Sequence, residues 1–390
     1  MTDFSDFLTT KHRYLRPAME LDLQEKMVFL GGPRQVGKTS LARSLLDATE
    51  CEMNYDIAGQ REKILRHQLP DTKVWFFDEI HKYRNWRNFL KGLYDQNQQW
   101  RAQGLAPKKI LVTGSAKLDV YRHGGDSLQG RYFHMRLHPL SVAELGGSAD
   151  ALPALLNLGG FPEPFFKSSE AFMRRWQTAY RDRLIREEVV SLETVSDLAK
   201  LELLSLALPE RVGSPLSLNS LREDLMVQHA TLARWCEILE RLYAIFRIPP
   251  FGSPLLRAVK KEQKHYHYDW MLVQNPGARF ENLVACHLLK WTEYQLDTQG
   301  HRVELRYFRD TAGREVDFCI THNATPSQPN AVAFVECKWA DGEISQSLKY
   351  IKARFPQAQC WQITCTGVQD YLSKEGIRVA PASVLLSQLV

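Results

Sequence analysis

No stretch of this 390-residue sequence stays apolar over the roughly 20 residues that a membrane helix requires, so no bilayer span is expected. The opening residues, MTDFSDFLTTKHRYLRP, mix charge with apolar side chains and lack a signal-peptide core, which together points to a cytoplasmic protein. The seven cysteines are odd in number, scattered and never spaced as CxxC. That speaks against a disulfide framework or a zinc knuckle and fits a reducing compartment. Net charge is scarce too: 50 Lys and Arg against 45 Asp and Glu leave +5, too little to name nucleic acid as partner without local clustering. No internal repeat or low-complexity segment is visible.

What is present is ordinary globular material, 44% hydrophobic and 24% charged, in a chain too long for one core, so two or three domains are expected. From Met27 short apolar runs (MVFLGG, KVWFFDE, KKILVTGS) alternate with longer amphipathic stretches, the pattern of βαβ units around a parallel sheet, hence an α/β fold. After Pro139 the reading turns helical. From Leu216 two helices precede a hairpin in winged-helix order, and from Pro276 a long helix leads into a second α/β unit. The expected division is 1–145 for the first α/β domain, 146–210 for a helical, lid-like segment, 211–272 for a winged-helix-like domain and 273–390 for the last unit.

Gly32, Pro33, Arg34, Gln35, Val36, Gly37, Lys38 and Thr39 match GxxxxGK[ST] and sit between an apolar strand and a helix opened by Ser40. Glycines let backbone amides curl around phosphates at a helix N-terminus, Lys38 brings a point charge to them, and Thr39 is placed to hold magnesium. ATP and Mg2+ are the cofactors this implies. The strand Val74–Phe77 ends in Asp78 and Glu79, where an Asp can serve the metal and a Glu the attacking water. A third strand ends in Thr113, Gly114 and Ser115, whose hydroxyls either sense the terminal phosphate or simply satisfy backbone groups. Arg131 follows a glycine and is either a transition-state arginine reaching a neighbouring subunit or an ordinary salt-bridged side chain.

The ordered set GGPRQVGKTS, VWFFDEIHK, LVTGSAK, SLQGRYFHMRLHPLSVAEL, GGFPEP and REVDF resembles bacterial and archaeal P-loop proteins of the AAA+ type that carry a C-terminal domain of the DUF4143 kind. The resemblance covers most of the chain. It implies an oligomerising ATPase, expected as a ring hexamer without membrane association, with Arg131 as a candidate trans-acting residue.

In the last unit, alternation sets Asp317 opposite Val316, Phe318 and Ile320, and puts Glu336 and Lys338 on one face of the next strand. Two carboxylates on neighbouring strands can share a metal while a lysine orients a water for attack on a phosphodiester. The arrangement is similar to the PD-(D/E)XK, restriction-endonuclease-like core. That likeness implies Asp317 as first acid, Glu336 and Lys338 as the ExK element, Glu281 as an upstream acid, and a second Mg2+ or Mn2+. Gln346 lies where some such nucleases carry a further polar residue. The bland alternative is a solvated strand face. In the winged-helix region, Asn219, Arg222, His229, Thr231 and Arg234, then Arg257, Lys260, Lys261, Lys264, His265 and His267, form a local basic cluster suited to phosphate contact without sequence readout. The leading expectation is an ATP-dependent DNA-remodelling protein acting on structured or branched DNA. Its rival is a nucleotide-dependent switch or scaffold for a protein partner, with a non-catalytic terminal domain.

Overall fold

Runs of Val, Phe, Trp, Ile and Leu that are apolar at every position, rather than at alternate ones, form strands only where both faces of a sheet are covered. The computed structural model, which describes residues 13–46, 51–114, 128–189, 197–252, 263–323 and 330–390, shows this arrangement in the first of its two compact units, Met1–His138. The chain enters through α1 (Arg16–Asp22), then alternates β1 (Met27–Gly31), α2 (Lys38–Arg43), β2 (Glu52–Asn54), α3 (Ala58–Leu65), β3 (Val74–Asp78), α4 (Trp86–Ala102), β4 (Lys109–Thr113) and β5 (Tyr132–Arg136). The five strands are parallel in the order β2-β3-β4-β1-β5, with β1 and β3 buried at every position. One strand, β4, therefore separates the two motif-bearing strands. Trp86, Phe89, Leu90 and Leu93 of α4 belong to the same core as Phe29, Phe77 and Val112, and each such buried side chain contributes about 1.5–3 kcal/mol.

The second unit, Pro139–Val390, begins with helices α5 (Ala151–Leu158), α6 (Pro162–Lys167), α7 (Glu170–Arg183) and α8 (Leu198–Ala207). Helix α7 starts where the Ser169 side chain accepts from the Phe172 amide, a cap that satisfies one otherwise orphaned donor. Then come α9 (Leu218–Leu225), α10 (His229–Arg241) and an antiparallel hairpin of β6 (Ile245–Ile248) and β7 (Lys264–His267). All four residues of β7 are buried.

The 24-residue helix α11 (Pro276–Gln299) is capped by Asn275, whose side chain accepts from the Ala278 amide, and has proline in its first turn. It leads into β8 (Val303–Arg309), β9 (Glu315–His322), β10 (Ala331–Lys338), α12 (Gln346–Arg354), β11 (Gln359–Thr364), β12 (Tyr371–Leu372), β13 (Ile377–Pro381) and α13 (Ala382–Leu386). Their sheet is mixed, in the order β12-β13-β11-β10-β9-β8: β10–β11 and β11–β13 are parallel, the other pairs antiparallel. Among the described residues no helix is long and apolar enough to cross a membrane.

Candidate functional site

Parallel register brings the ends of four strands level. Leu30 pairs with Thr113, Thr113 with Asp78, and Asp78 with Asn54, so the loop after β1 and the polar tips of β2, β3 and β4 share one edge of the sheet. The loop itself can be built only with glycine at its first position. Gly32 has φ +127°, and a Cβ there would stand 2.3 Å from the Leu137 carbonyl oxygen. Gly37 is left-handed at φ 98° and caps α2, so the amides that open this helix face the loop. Lys38 Nζ donates to the carbonyls of Gly32 and Pro33 at 2.9 and 2.7 Å, which holds the ammonium over the loop that phosphates would occupy.

Asp78 is buried and its carboxylate is shared. Oδ2 accepts from Thr39 Oγ1 and Asn54 Nδ2, both at 3.2 Å, and Oδ1 accepts from Thr113 Oγ1. Burial pushes its pKa up, the Thr113 hydrogen bond pulls it down, and the neighbouring Glu79 pushes it up again. A cation would relieve this cost. The Thr39 hydroxyl and Asp78 carboxylate are hard oxygen donors of the kind magnesium uses, so the site fits the metal. Glu79 sits at φ 55°, a conformation that costs a non-glycine residue of order 1 kcal/mol or more and re-aims its side chain out of the strand direction. Its Oε2 lies 3.3 Å from Lys82 Nζ and 3.5 Å from His81 Nε2.

Arg131 lies just before β5, level with Met27 at the opposite edge of the sheet, where Met27 N donates to its carbonyl at 3.3 Å and its Nε lies 3.3 Å from Asp95 Oδ1. Ser115 falls outside the described residues. Thr113, not singled out over its neighbours in the sequence, supplies the hydroxyl that meets Asp78. Asn54 and Arg13 belong to no motif of the sequence. Arg13 is wholly buried and donates to the carbonyl of Val36, 23 positions away, at 2.9 Å and to that of His138, so it braces the loop from beneath. A polar residue closing β2 was the one local signal for Asn54; Arg13 had none.

The C-terminal unit gathers its expected residues. Val335 pairs with Phe318, which sets Glu336 opposite Asp317 on one face. Asp317 Oδ2 accepts from the Cys337 amide at 2.9 Å, and Lys338 Nζ donates to Glu336 Oε1 at 2.8 Å. Glu281 reaches the same place from α11, accepting from Tyr266 Oη at 2.8 Å. Burial, then repulsion from Asp317, raises the pKa of both Glu281 and Glu336. Gln346 stands exposed at the start of α12.

Three residues of the basic cluster must be reassigned. Lys264, expected on a DNA-facing wing, is buried, and its Nζ lies 2.7 Å from Glu315, 3.3 Å from Glu281 and 3.6 Å from Asp317. The adjacent His265 and His267 are buried as well, and burial lowers their pKa values to about 4 and about 3, so both are neutral imidazoles and not phosphate contacts. The reason is β7 itself, a strand covered on both faces. Arg222 and Arg234 are exposed on α9 and α10, and Thr231 is half-buried between them. Arg257, Lys260 and Lys261 lie outside the described residues.

Comparison with known proteins gives these sites a context. The AAA domain family matches residues 24–146, a domain of unknown function (DUF8612) matches 149–275, and another (DUF4143) matches 276–385. Uncharacterized proteins of Mycobacterium tuberculosis and Mycobacterium bovis are each 25% identical over 324 residues, covering 77% of this chain and 71% of theirs. One of Methanocaldococcus jannaschii is 22% identical over 247 residues, covering 56% of this chain and 54% of its own. Among solved structures, a Walker-type ATPase of Pyrococcus abyssi is similar over 73% of this chain and 97% of its own, at 14% identity and a TM-score of 0.41. The chain carries an AAA-type P-loop ATPase domain followed, at its C-terminal end, by a DUF4143 domain.

Proposed function

We propose that this protein is an ATP-dependent DNA-binding and remodelling enzyme of the cytoplasm, working on structured or branched DNA as a ring hexamer. In this reading residues 1–145 hydrolyse ATP, 146–210 form a lid and 211–272 a winged helix. Residues 273–390 form a PD-(D/E)XK-type unit whose candidate nuclease set is Asp317, Glu336, Lys338 and Glu281. The observation that carries the reading is the meeting of the P-loop with Asp78 and Glu79 at one sheet edge. Lys38 and the loop amides bind the phosphates, Thr39 and Asp78 would hold magnesium, and Glu79 orients the attacking water and takes its proton. Magnesium, when bound, neutralises charge on the triphosphate. Arg131, remote from its own P-loop, serves a neighbouring subunit's nucleotide. DNA phosphates meet Arg222 and Arg234, exposed on successive helices, in contacts that neutralise charge without reading sequence.

The rival reading, a nucleotide-dependent switch that binds a protein partner, draws on one specific observation: the burial of β7 takes Lys264, His265 and His267 away from any basic surface. ATP turnover measured with duplex, single-stranded and four-way DNA separates the two. Stimulation by at least one of them, reduced in Arg222→Ala/Arg234→Ala, supports DNA remodelling; turnover indifferent to all three leaves the switch.

A further inference from the structure

A metal-dependent nuclease site needs carboxylate oxygens converging on an empty point, and here an amine stands among three of the carboxylates, Glu281, Glu315 and Asp317. Lys264 reaches them from β7, a strand outside the mixed sheet, fixed by pairing with Ile248 and by a bridge to Pro215. Its ammonium faces Glu281 from α11 and Glu315 and Asp317 from β9, three acceptors for three donors. The enclosure is tight: the Tyr307 ring lies 5.6 Å from Nζ, and a Cβ on Gly213 would meet Glu281 Oε2 at 3.0 Å.

A divalent ion held by Glu281 and Asp317 would need these same oxygens at ~2.0–2.6 Å, beside a buried like charge on a side chain that the pairing of β7 directs into the cluster. Among the described residues no group of three or more His, Cys, Asp or Glu is arranged to hold a metal ion. The residues present therefore do not fit the magnesium that a nuclease-like domain implies. Glu336 Oε2, buried and without a hydrogen-bond partner among the described residues, is a ligand atom in reserve.

We propose that the Lys264 ammonium is the resident cation of this carboxylate cluster, and that a divalent ion binds there only when β7 gives Lys264 up. The inference takes from the functional reading only that this cluster is the candidate metal site. Manganese titration calorimetry on the nucleotide-free, DNA-free full chain tests it, so failure here leaves the ATPase and DNA reading standing, and the reverse. In wild type no manganese site disappears on Asp317→Asn. In Lys264→Met one site appears, at least tenfold tighter than any in wild type, and it vanishes again in Lys264→Met/Asp317→Asn. A wild-type site lost in Asp317→Asn overturns the proposal, as does a Lys264→Met protein that melts cooperatively yet gains no site. Should Lys264→Met fail to fold, Lys264→Gln, which removes the charge at similar length, takes its place with the same expected and overturning results.

Discussion

Glu79 and Thr113 act on the same few ångströms of the ATPase site by different means, and their substitutions separate chemistry from architecture. Replacing Glu79 by Gln keeps the shape and the phosphate cradle but removes the base, so ATP affinity stays within a few-fold of wild type while turnover falls by about 10²–10⁴-fold. Steady-state hydrolysis alongside equilibrium binding of a fluorescent ATP analogue reads both quantities, and undiminished turnover would remove Glu79 from its assigned role. Thr113→Val, nearly isosteric, strands Asp78 Oδ1 in a buried place and costs about 1–3 kcal/mol, seen as a lower urea midpoint at unchanged slope. At this scale the sequence was highly legible where function needs contiguous residues: Gly32 to Thr39 are read in one pass. Arg13 was not, because its partners are carbonyls 23 and 125 positions away, and carbonyls leave no mark on a sequence.

At the scale of elements, helix α11 shows how packing fixes a protonation state. His287 Nε2 accepts from the Val142 amide at 3.0 Å while Nδ1 donates to the Leu283 carbonyl at 2.8 Å, so the ring must be neutral. One turn on, Lys290 Nζ bonds Ser141 Oγ at 2.8 Å and pairs with Glu144, tying the helix to the segment after Pro139. Burial first, and Lys290 second, lower the His287 pKa to about 4, while the Leu283 carbonyl and Glu144 oppose the shift. Below pH 6.5 the unfolded chain takes up a proton that the folded ring refuses until about pH 4. This residue's contribution is therefore complete above 6.5, and roughly 3 kcal/mol is lost across that window as pH falls. His287→Gln is less stable at pH 7, but its gap to wild type narrows steadily between pH 6.5 and 4 in urea titrations; a gap independent of pH would contradict the assigned state. Periodicity foretold α11 and the alternation of β9 and β10. It could not foretell that β7, rich in Lys and His, is covered on both faces, because composition reports polarity and not what packs against it.

For the whole molecule, ligand linkage supplies the broadest test. A nucleotide that binds the folded ATPase unit alone stabilises it by about 2.7 kcal/mol at a concentration 100 times its dissociation constant. Magnesium–ATP should raise the melting temperature of wild type and leave Lys38→Ala where it was, by scanning calorimetry. The ATPase unit was legible in outline: the two distant motifs were expected to serve one magnesium ion, while the strand order that brings them together came from the structure. The carboxylate cluster was legible only in part: Asp317, Glu336, Lys338 and Glu281 were expected together, Glu315 and Tyr266 were not, and Lys264 was expected on another surface. What the sequence alone determined is the chemistry carried by neighbours along the chain: a phosphate cradle, an acid pair behind a strand, an alternating acid on each of two late strands. Tertiary structure decided which charge stands among those late acids. A buried carboxylate cluster demands a counter-charge, and the amine that answers it, Lys264, lies 51 residues before Glu315 and arrives through the fold and not along the chain.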